Sequence, residues 1–557
     1  MEDRQEPEEE NGLDAQPFVP FAAGMRLPDG ESVCAAYRED GGALLCGEMR
    51  VSFAKEQLSE MLMLLDGRGV VCHDYKKLCA ALPRGERVQC ELDTMLAAYL
   101  LDPGSGVYPL EKLALRYLQR KITAPLSPET EAEMVSLLAP VLREKLEETS
   151  MLELLYNVEQ PLAEVLAEME AAGFHLDAAG LHEYVGSLRA SADVIAARIY
   201  HEAGYEFNLN SPKQLGEVLF ERLGLPAGKR TKTGYATDAD TLAKLRPFHP
   251  IVGDILDYRQ LVKLVGTYGE NLIALRGEDG KIHSRFNQTG TATGRLSSAD
   301  PNMQNIPVRG QLGRELRRYF TASDEDHILL DADYSQIELR LLAAISGDEN
   351  MCGAFLHGGD IHRSTAAQVF GVAPEDVTPE LRLRAKAVNF GLIYGIGDYS
   401  LSQDLGISRR EAAAYIRGYL DTDPDVERYL KETVENARRD GYAVTMFGRR
   451  RYIPELSSRN ANLRAFGERV AMNSPIQGTA ADIIKIAMIR TRNALRDAGI
   501  DARIILHVHD ELIVESSRAD ADRAAEILRS EMEHAASLRV PLTAEVTRGD
   551  TWFDAKQ

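Results

Sequence analysis

The chain has 557 residues, of which 44% are hydrophobic and 27% charged, and its formal net charge is −22. This length exceeds what one hydrophobic core supports, so we expect about three or four lobes. No apolar run approaches the ~18 residues of a membrane span, and the acidic N-terminus lacks the basic and then apolar segments of a secretory signal. These features predict a cytoplasmic protein with no membrane association.

The six cysteines form neither a C-x-x-C pair nor a zinc-binding spacing, which predicts free thiols in a reducing compartment. The acidic balance opposes nucleic-acid binding, because phosphate contacts depend on Lys and Arg. The basic clusters nevertheless all lie after residue 220, whereas much of the excess acid lies in the first 170 residues. A basic channel in an acidic body would still bind nucleic acid. The clusters are Lys229–Lys232, Arg314–Arg318, Arg382–Lys386 and Arg449–Arg451.

The first half of the chain predicts a disordered tail, a small α/β domain and then helices. Residues 1–16 are acidic and predicted to be disordered. From 17 to about 150, strand-like runs such as SVCAAY and GVVCH alternate with helical segments such as DTMLAAYLLD, which we interpret as amphipathic. Helical periodicity dominates from Leu152 to about 200. A helix is predicted to begin at Asn210 or Ser211.

The stretch HILLDADYSQIELRLLAAISG, His327 to Gly347, predicts a strand followed by a helix. Its first half alternates like a strand, and its second half places Ile337, Leu341 and Leu342 at helical spacing. Asp333 therefore lies near the strand end. A helix cap or a surface turn would also explain an aspartate here.

Long helices are predicted between about 350 and 500, and one of them carries an ordered stripe. Arg382, Lys386, Phe390 and Tyr394 recur every four residues, so they follow one side of a helix. Cations followed by aromatic rings suit a nucleoside triphosphate, with charges on its phosphates and rings on its sugar and base. An ordinary amphipathic helix with solvated cations is the alternative.

The stretch RIILHVHDELIVES, Arg503 to Ser516, predicts a hairpin with an acidic tip. Two apolar strands flank His509, Asp510 and Glu511, without the Gly, Pro or Asn of an ordinary tight turn. Solvation of a loop would explain the charges. If this hairpin and the strand ending at Asp333 share a sheet, however, the two aspartates meet and supply the oxygen ligands that a pair of Mg²⁺ ions needs for phosphoryl transfer.

These motifs resemble those of family A DNA polymerases. DYSQIELR, R-x-x-x-K-x-x-x-F-G-x-x-YG and VHDEL have the order and spacing of motifs A, B and C, and TATGRLSSADPNMQNIP, FGRRRYIP and MNSPIQGTAAD are similar to further signatures. The resemblance covers about residue 150 to the end closely and residues 17–150 faintly. It implies an α/β (α+β) fold shaped like a right hand, with palm, fingers and thumb, and a DNA-templated polymerase that uses dNTPs.

The resemblance also implies a role for each matching residue. Asp333 and Asp510, with the Tyr334 backbone, would hold two Mg²⁺ ions, for which Mn²⁺ could substitute, and Glu511 would support catalysis. The dNTP-binding residues would be Arg382, Lys386, Phe390, Tyr394, His362, Glu338 and Gln336. Glu338 matches a steric gate that, with Tyr394, would exclude a ribose 2′-hydroxyl. The primer-template contacts would be Arg295, Gln477, Asn473, Arg469, His509 and Asn305.

The resemblance implies that Arg295, Asn473 and Gln477 contact the minor groove near the primer terminus. Donors there fit physical expectation, since purine N3 and pyrimidine O2 are acceptors in every correct base pair. A structural role remains open for Arg469 and Asn305. Two residues depart from the family pattern, because Leu383 stands where relatives often have Arg, and His507 stands where Gln is common. We expect both to tune affinity. The partners would be primer-template DNA and dNTPs, and the chain is expected to act as a monomer.

The resemblance divides the chain into six segments. Residues 1–16 would be the tail and 17–150 a degenerate 3′-5′ exonuclease-like domain. The thumb and the start of the palm would occupy 151–300. The palm with motif A would occupy 301–345, the fingers 346–470, and the palm with motif C 471–557. No 5′ nuclease domain is expected.

The exonuclease-like domain is predicted to be inactive. Asp74 matches one expected metal ligand, but Asp29 and Glu31 lie in a Pro-Gly turn and are interpreted as turn residues. The sequence has no Tyr between Tyr117 and Tyr156 and no Asp between 102 and 177, so the third ligand motif is missing. Two-metal hydrolysis and proofreading should therefore be absent.

Two other classes of function stay open at this point, one enzymatic and one non-catalytic. A related reverse transcriptase would copy RNA templates, and an RNA polymerase of similar architecture would use NTPs, although Glu338 argues against NTP use. A non-catalytic scaffold would bind DNA without chemistry, but it should have lost the aspartate pair or the cationic stripe, and both are present.

Overall fold

The computed structural model describes residues 17–556 except 23, 39, 66, 83–85, 228–229, 232–233 and 308–309. The predicted disorder of residues 1–16 lies outside this range. Two compact units are present. The first takes in 17–172, Phe286–Ser297 and Leu330–Val546, and the second takes in Gly173–Arg285, Ser298–Leu329 and 547–556. No helix in the described part of the chain is long and apolar enough to cross a bilayer.

The N-terminal part of the first unit contains a six-stranded mixed sheet. Its spatial order is Val19–Pro20, Met49–Ala54, Gly41–Cys46, Val33–Arg38, Gly69–Cys72 and Gln89–Asp93. The three strands between 33 and 54 form an antiparallel meander, and the outer strands pair in parallel. The helices here are Lys55–Gln57 (3₁₀), Leu58–Leu64, Tyr75–Ala81, Thr94–Leu101, Leu110–Leu113, Ala114–Leu118 (π) and Pro128–Glu148.

This sheet has a packed core on each face, which explains why its strands are rich in Val, Leu and Ala. The strand Gly41–Cys46 is buried at every position. The helix Thr94–Leu101, interpreted as amphipathic from sequence, is instead buried on nearly all sides. That interpretation was wrong, because a helix packed between a sheet and other helices has no solvent face to mark with polar residues.

The rest of the first unit is built on a four-stranded sheet, most of which falls within it. The strand order is Ala502–Val508, Glu511–Ser517, His327–Tyr334 and Ala544–Gly549. A short hairpin pairs Tyr442–Val444 with Arg450–Tyr452. The helices are Leu152–Leu154, Leu155–Glu159 (π), Gln160–Ala172, Ile337–Ser346, Glu349–Leu356, Ile361–Phe370, Pro374–Asp376 (3₁₀), Pro379–Ile393, Asp398–Leu405, Arg409–Thr422, Pro424–Asp440, Pro454–Ser457 (3₁₀), Ala461–Asp497 and Ala521–Glu533.

The second unit combines long helices with a three-stranded sheet, in which Phe174–Leu176 pairs antiparallel with Lys281–Ile282 and Phe320–Thr321. Further short strands are Arg230–Thr231, Gly234–Tyr235, Arg285–Asn287 and Ser297–Ala299, the last two crossing the unit boundaries. The helices are Ala178–Ala203, Pro212–Gly216, Glu217–Arg222 (π), Ala239–Leu245, Pro250–Lys263, Leu264–Glu270 (π), Asn271–Leu275, Met303–Asn305 (3₁₀), Gln311–Glu315, Leu316–Tyr319 (3₁₀) and Trp552–Ala555.

The mixed α/β fold class is confirmed, and so are the elements that carry the motifs. The strand ending at Tyr334, the helix that follows it and the hairpin near the C-terminus all form where the sequence patterns indicate. Ser211 caps the helix Pro212–Gly216 by accepting a hydrogen bond from the Gln214 amide. The boundaries of the six predicted segments stay predictions.

Candidate active site

A two-residue turn, His509–Asp510, joins the strands Ala502–Val508 and Glu511–Ser517. His509 has a φ of 59°, a left-handed conformation that Gly or Asn usually supplies in such turns. The buried His507 ring donates from Nε2 to the His509 carbonyl oxygen at 2.8 Å. Burial lowers the pKa of His507 to about 4, so the ring is neutral at pH 7. This hydrogen bond holds the strained turn that carries Asp510.

The second aspartate lies on the neighbouring strand. Asp333 is the penultimate residue of His327–Tyr334, which follows Glu511–Ser517 in the sheet. The Tyr334 amide donates a hydrogen bond to the Asp510 carbonyl oxygen at 3.2 Å. The fold thus brings residues that are 177 positions apart to one edge of a sheet.

The donor set at this edge fits magnesium. Carboxylate and carbonyl oxygens are the ligands that Mg²⁺ prefers. In the described residues there is no group of three or more His, Cys, Asp and Glu side chains placed to hold a metal by themselves. Two carboxylates suit an ion that keeps positions for water and phosphate oxygens.

Asp510 lines a cavity of about 490 Å³ in the first unit. The cavity brings together most of the residues singled out from the sequence. Those that line it with Asp510 are Arg295, Tyr334, Gln336, Glu338, His362, Arg382, Lys386, Phe390, Tyr394 and His509. Asp333 adjoins Tyr334, and Glu511 is buried next to Asp510 at 5% exposure.

The cationic and aromatic stripe faces this cavity, with Tyr394 as the C-cap of the helix Pro379–Ile393 that carries the other three residues. The Arg382 Nε donates to Asp360 Oδ2 at 2.6 Å. Burial opposes ionisation of Asp360, but the hydrogen bonds from Arg382 and from the Arg363 amide, together with the Arg382 charge, outweigh it, so the pKa of that carboxyl lies below its ordinary value. The Lys386 Nζ lies 5.9 Å from the centre of the Phe390 ring. The stripe therefore forms part of the cavity wall.

His362 lines the cavity as a neutral ring. It is 2% exposed, and its ring centre is 5.8 Å from that of Phe390. Burial, and then the charge of Arg382, lower the pKa of His362 to about 4. Its Nδ1 lies 2.8 Å from the amide nitrogen of the fully buried Asn389. Sequence reasoning missed Asn389, although an Asn on the apolar side of a helix is itself a signal.

A polar network covers one side of the cavity. Glu338 accepts hydrogen bonds from Arg295 Nη2 at 2.7 Å and from the Tyr394 hydroxyl at 2.9 Å. Burial, together with the adjacent Glu338 charge, raises the pKa of Tyr394 to about 12, so its hydroxyl stays a donor. The amide orientation of Gln477 that satisfies both groups places its oxygen 2.9 Å from Arg295 Nη1. Arg295, Glu338, Tyr394 and Gln477 thus act as one connected group.

The remaining candidate nucleic-acid contacts are more scattered. Asn473, on the helix Ala461–Asp497, donates weakly to the Ile393 carbonyl oxygen at 3.5 Å. Arg469 lines a neighbouring cavity that also contacts Phe390 and Tyr394. Asn305 belongs to the second unit, where its carbonyl oxygen accepts from the Tyr268 hydroxyl at 2.6 Å.

Two arginines assigned to a basic channel from sequence are buried instead. Arg449 is 3% exposed and pairs with Glu159 and with Asp482, its Nε lying 2.8 Å from Asp482 Oδ1. The fully buried Lys485, which also lines the cavity beside Asp510, donates to Glu159 Oε1 at 2.7 Å.

The other misassigned arginine lies in the second unit. Arg317 is also 3% exposed and stacks on the Trp552 ring at 4.1 Å. The clustering of like charges in sequence did not predict which cations are buried inside the fold. Lys229 and Lys232 of the first basic cluster lie outside the described residues.

The acidic residues of the N-terminal sheet have structural contacts. Asp29 lies in an exposed turn and pairs with Arg68 at 2.9 Å. Asp74 caps the helix Tyr75–Ala81 by accepting from the Lys77 amide. Asp93 caps the next helix, and burial followed by the Asp74 charge raises the pKa of Asp93 to about 7.

The fold and the site together suit one class of ligand. An α/β sheet presents two aspartates at one edge, and the adjoining cavity is lined by cations, a neutral histidine and an aromatic ring. These groups suit a ligand that carries phosphates, a sugar and a base.

Residues 178–554 match the DNA polymerase family A model, and the chain belongs to that family. A DNA polymerase I of Caldicellulosiruptor bescii is 48% identical over 471 residues, which is 84% of this chain and 55% of the relative. One from Streptococcus pneumoniae is 51% identical over 420 residues, 75% of this chain and 48% of the relative. The chain thus spans about half the length of these curated relatives. Family membership implies the use of divalent metal ions in general.

A solved structure, the POL domain of Pol1 from M. smegmatis in complex with DNA primer-template and dNTP, is similar over nearly the whole chain. It has a TM-score of 0.88 and 39% sequence identity, covering 95% of this chain and 96% of that one. The resemblance to family A inferred from the motifs is therefore confirmed.

Proposed function

We propose that the chain is a template-directed DNA polymerase that adds dNTPs to the 3′-hydroxyl of a primer. The observation that carries the proposal is the backbone hydrogen bond between Tyr334 and Asp510, which puts Asp333 and Asp510 at one sheet edge beside a cavity lined by Arg382 and Lys386. Primer-template DNA and dNTPs would be its partners, and the POL domain with bound DNA and dNTP supports this assignment. The chain would act as a monomer in the cytoplasm.

Asp333 and Asp510 would hold two Mg²⁺ ions, which Mn²⁺ could replace, with the Tyr334 carbonyl as a further oxygen ligand. When bound there, these ions would supply the Lewis acidity that activates the primer 3′-hydroxyl for in-line attack on the α-phosphate and stabilises the pyrophosphate leaving group. Glu511 would add negative charge beside Asp510. The His507 hydrogen bond would keep the Asp510 turn in place, so that the carboxylates are positioned before substrate arrives.

The triphosphate would lie along the stripe on the helix Pro379–Ile393. Arg382 and Lys386 would attract its charged oxygens, and the neutral His362 would donate one hydrogen bond. Phe390 would stack against the sugar and base. Gln336, at the start of the helix after Asp333, has a buried amide oxygen without a hydrogen-bond partner in the structure and would contact the same ligand.

Glu338 and Tyr394 would select the sugar. Their 2.9 Å hydrogen bond fixes both side chains at the cavity wall, so a ribose 2′-hydroxyl would meet a filled position. Arg295 and Gln477 would donate to minor-groove acceptors of the terminal base pair, which test its geometry without reading sequence. Asn473, Arg469, His509 and Asn305 would make further primer-template contacts.

Primer extension by the full chain tests the proposal. We expect extension with dNTPs on a DNA template, and Asp333→Asn or Asp510→Asn should each lower it by about a thousandfold, since several kcal/mol of transition-state stabilisation are lost. Primer-template affinity should stay nearly unchanged. The exposed Asp421 gives a matched control as Asp421→Asn. It pairs with Arg417, four residues earlier on the helix Arg409–Thr422.

The same assay separates the other functions. Efficient copying of an RNA template would favour a reverse transcriptase, and extension with NTPs would favour an RNA polymerase. A chain that binds DNA but extends no primer, with either metal, would be a scaffold. Extension that survives both aspartate substitutions would contradict the proposed site.

A further inference from the structure

Three polar side chains are buried where the helices Ile361–Phe370 and Pro379–Ile393 pack together. His362, Thr365 and Asn389 are 2%, 3% and 0% exposed. The neighbouring contact is apolar, formed by side chains such as those of Ala366, Ala385 and Val377. Burial of an amide among alkyl groups costs free energy unless its hydrogen bonds are satisfied, so this group calls for a specific reason.

The hydrogen bonds form a chain with a defined direction. The Thr365 hydroxyl donates to Asn389 Oδ1 at 3.1 Å, which turns the amide nitrogen of Asn389 towards His362. That nitrogen lies 2.8 Å from His362 Nδ1. An amide nitrogen can only donate, so Nδ1 accepts and the single ring proton of the neutral imidazole lies on Nε2.

The electrostatic surroundings keep this ring neutral. Arg382 and Lys386 disfavour a third positive charge, and Asp360, which would favour one, is engaged by Arg382 at 2.6 Å. Burial acts in the same direction as the two cations, and the pKa of His362 is lowered to about 4. At neutral pH the ring therefore has one N–H, and its position depends on Asn389.

We propose that Asn389 is a positioning residue for nucleotide binding, which holds His362 in the Nε2–H form so that the ring donates a hydrogen bond to a phosphate oxygen in the cavity. The inference rests on the proposed polymerase function for its substrate. In the opposite tautomer Nε2 would be an acceptor and would repel the same oxygen. Asn389 itself makes no contact with substrate in this arrangement.

A double-mutant cycle tests the dependence of Asn389 on His362. Asn389→Leu should raise the KM for dNTP by about tenfold with a smaller change in kcat, because one hydrogen bond to a charged group is misdirected. In a His362→Gln background the same substitution should change KM by less than about twofold, since the ring is already gone. An equal increase in both backgrounds would show that Asn389 only supports packing, and would overturn the proposal.

A pH profile adds a signal that loss of packing does not produce. In the unsubstituted chain the KM for dNTP should show no step attributable to His362 between about pH 6 and 8. Asn389→Asp places a carboxylate at Nδ1 and should raise the pKa of His362 into this range, so that KM falls as the ring becomes positively charged. A profile without such a step, in a variant that remains folded, would contradict the proposed contact.

NMR of the full chain with ¹⁵N-labelled histidine observes the tautomer without any turnover. His362→Gln identifies the signals of His362. Nδ1 should be the unprotonated nitrogen, and Asn389→Leu should release this preference. A protonated Nδ1 in the unsubstituted chain would refute the inference. Because this measurement needs no substrate, it separates failure of the tautomer assignment from failure of the polymerase function, which the extension assay reports.

Discussion

Glu338 is a single residue on which several groups of the cavity depend. It is 8% exposed and accepts hydrogen bonds from Arg295 and from Tyr394. A buried carboxylate with two donors has a fixed position, and a fixed position is what exclusion of one extra hydroxyl group requires. Its proposed role in sugar selection thus follows from its contacts as well as from its place in the motif.

Replacement of this residue should relax sugar selection. Glu338→Ala opens space at the cavity wall and removes the partner of Tyr394, so the ratio of kcat/KM for dNTP over NTP should fall by at least about tenfold, or roughly 1.4 kcal/mol. Single-nucleotide incorporation kinetics with dGTP and GTP measure this ratio.

Glu338→Gln is the matched control for this change. It keeps the volume of the side chain while removing its charge, so selection should largely remain even though the Arg295 ion pair is lost. A ratio unchanged in Glu338→Ala would contradict the gate.

At the scale of elements, a buried ion cluster joins three parts of the first unit. Glu159 comes from the π-helical turn Leu155–Glu159, and Arg449 comes from the hairpin loop directly before the strand Arg450–Tyr452. Asp482 and Lys485 come from the helix Ala461–Asp497. Two acids and two bases leave the cluster neutral. Because Lys485 also lines the cavity, the cluster connects the cavity wall with the segment that follows the N-terminal sheet.

Removal of one acid should destabilise the fold. Glu159→Gln leaves Arg449 and Lys485 with one carboxylate between them, and an uncompensated buried charge costs about 3–5 kcal/mol. Chemical denaturation followed by circular dichroism measures the change in the free energy of unfolding. The exposed pair of Arg417 and Asp421 is the comparison, where Asp421→Asn should cost less than about 1 kcal/mol.

The same cluster makes the free energy of unfolding depend on pH. Burial disfavours the Glu159 charge, but Lys485 and Arg449 outweigh it and lower the pKa of Glu159 from 4.5 to about 2. The stabilisation is therefore present above about pH 4.5 and is lost as the pH falls through about 2. Glu159→Gln should flatten this part of the curve of unfolding free energy against pH. An identical acid decline in both proteins would assign it to other groups.

The helix and strands of the site could be predicted from sequence where residue types recur at a regular local spacing. Alternation over 327–334 and over 502–517 predicted strands, and the four-residue spacing of Arg382, Lys386, Phe390 and Tyr394 predicted a shared helix face. Contacts between residues far apart in sequence leave no such regular spacing, so they could not be predicted in this way. The partners of Arg449 are 33 and 290 residues away, and the contact of Asn389 with His362 spans two helices. Only the packed structure reveals those contacts.

At the scale of the whole molecule, the net charge of −22 is compatible with a DNA partner only because of how charge is placed. Buried ion pairs such as those of Arg449 remove some cations from the surface. The cavity retains Arg295, Arg382 and Lys386, whose side chains line it. Phosphate contacts depend on such local cations, and long-range repulsion from the acidic body is screened beyond about 8 Å at physiological salt.

At this scale we expect the N-terminal sheet to contribute no proofreading activity. In the N-terminal sheet, Asp29 lies in a turn and Asp74 is occupied as a helix cap, while the Tyr and Asp of a third motif are missing from the sequence. Two-metal hydrolysis needs several carboxylates around one pair of ions, and these positions do not provide them. A primer with a 3′-terminal mismatch and labelled at its 5′ end should keep its length when dNTPs are withheld. Shortening of that primer by the purified chain, lost in Asp74→Ala but retained in Asp333→Asn, would show that the N-terminal sheet holds a working nuclease.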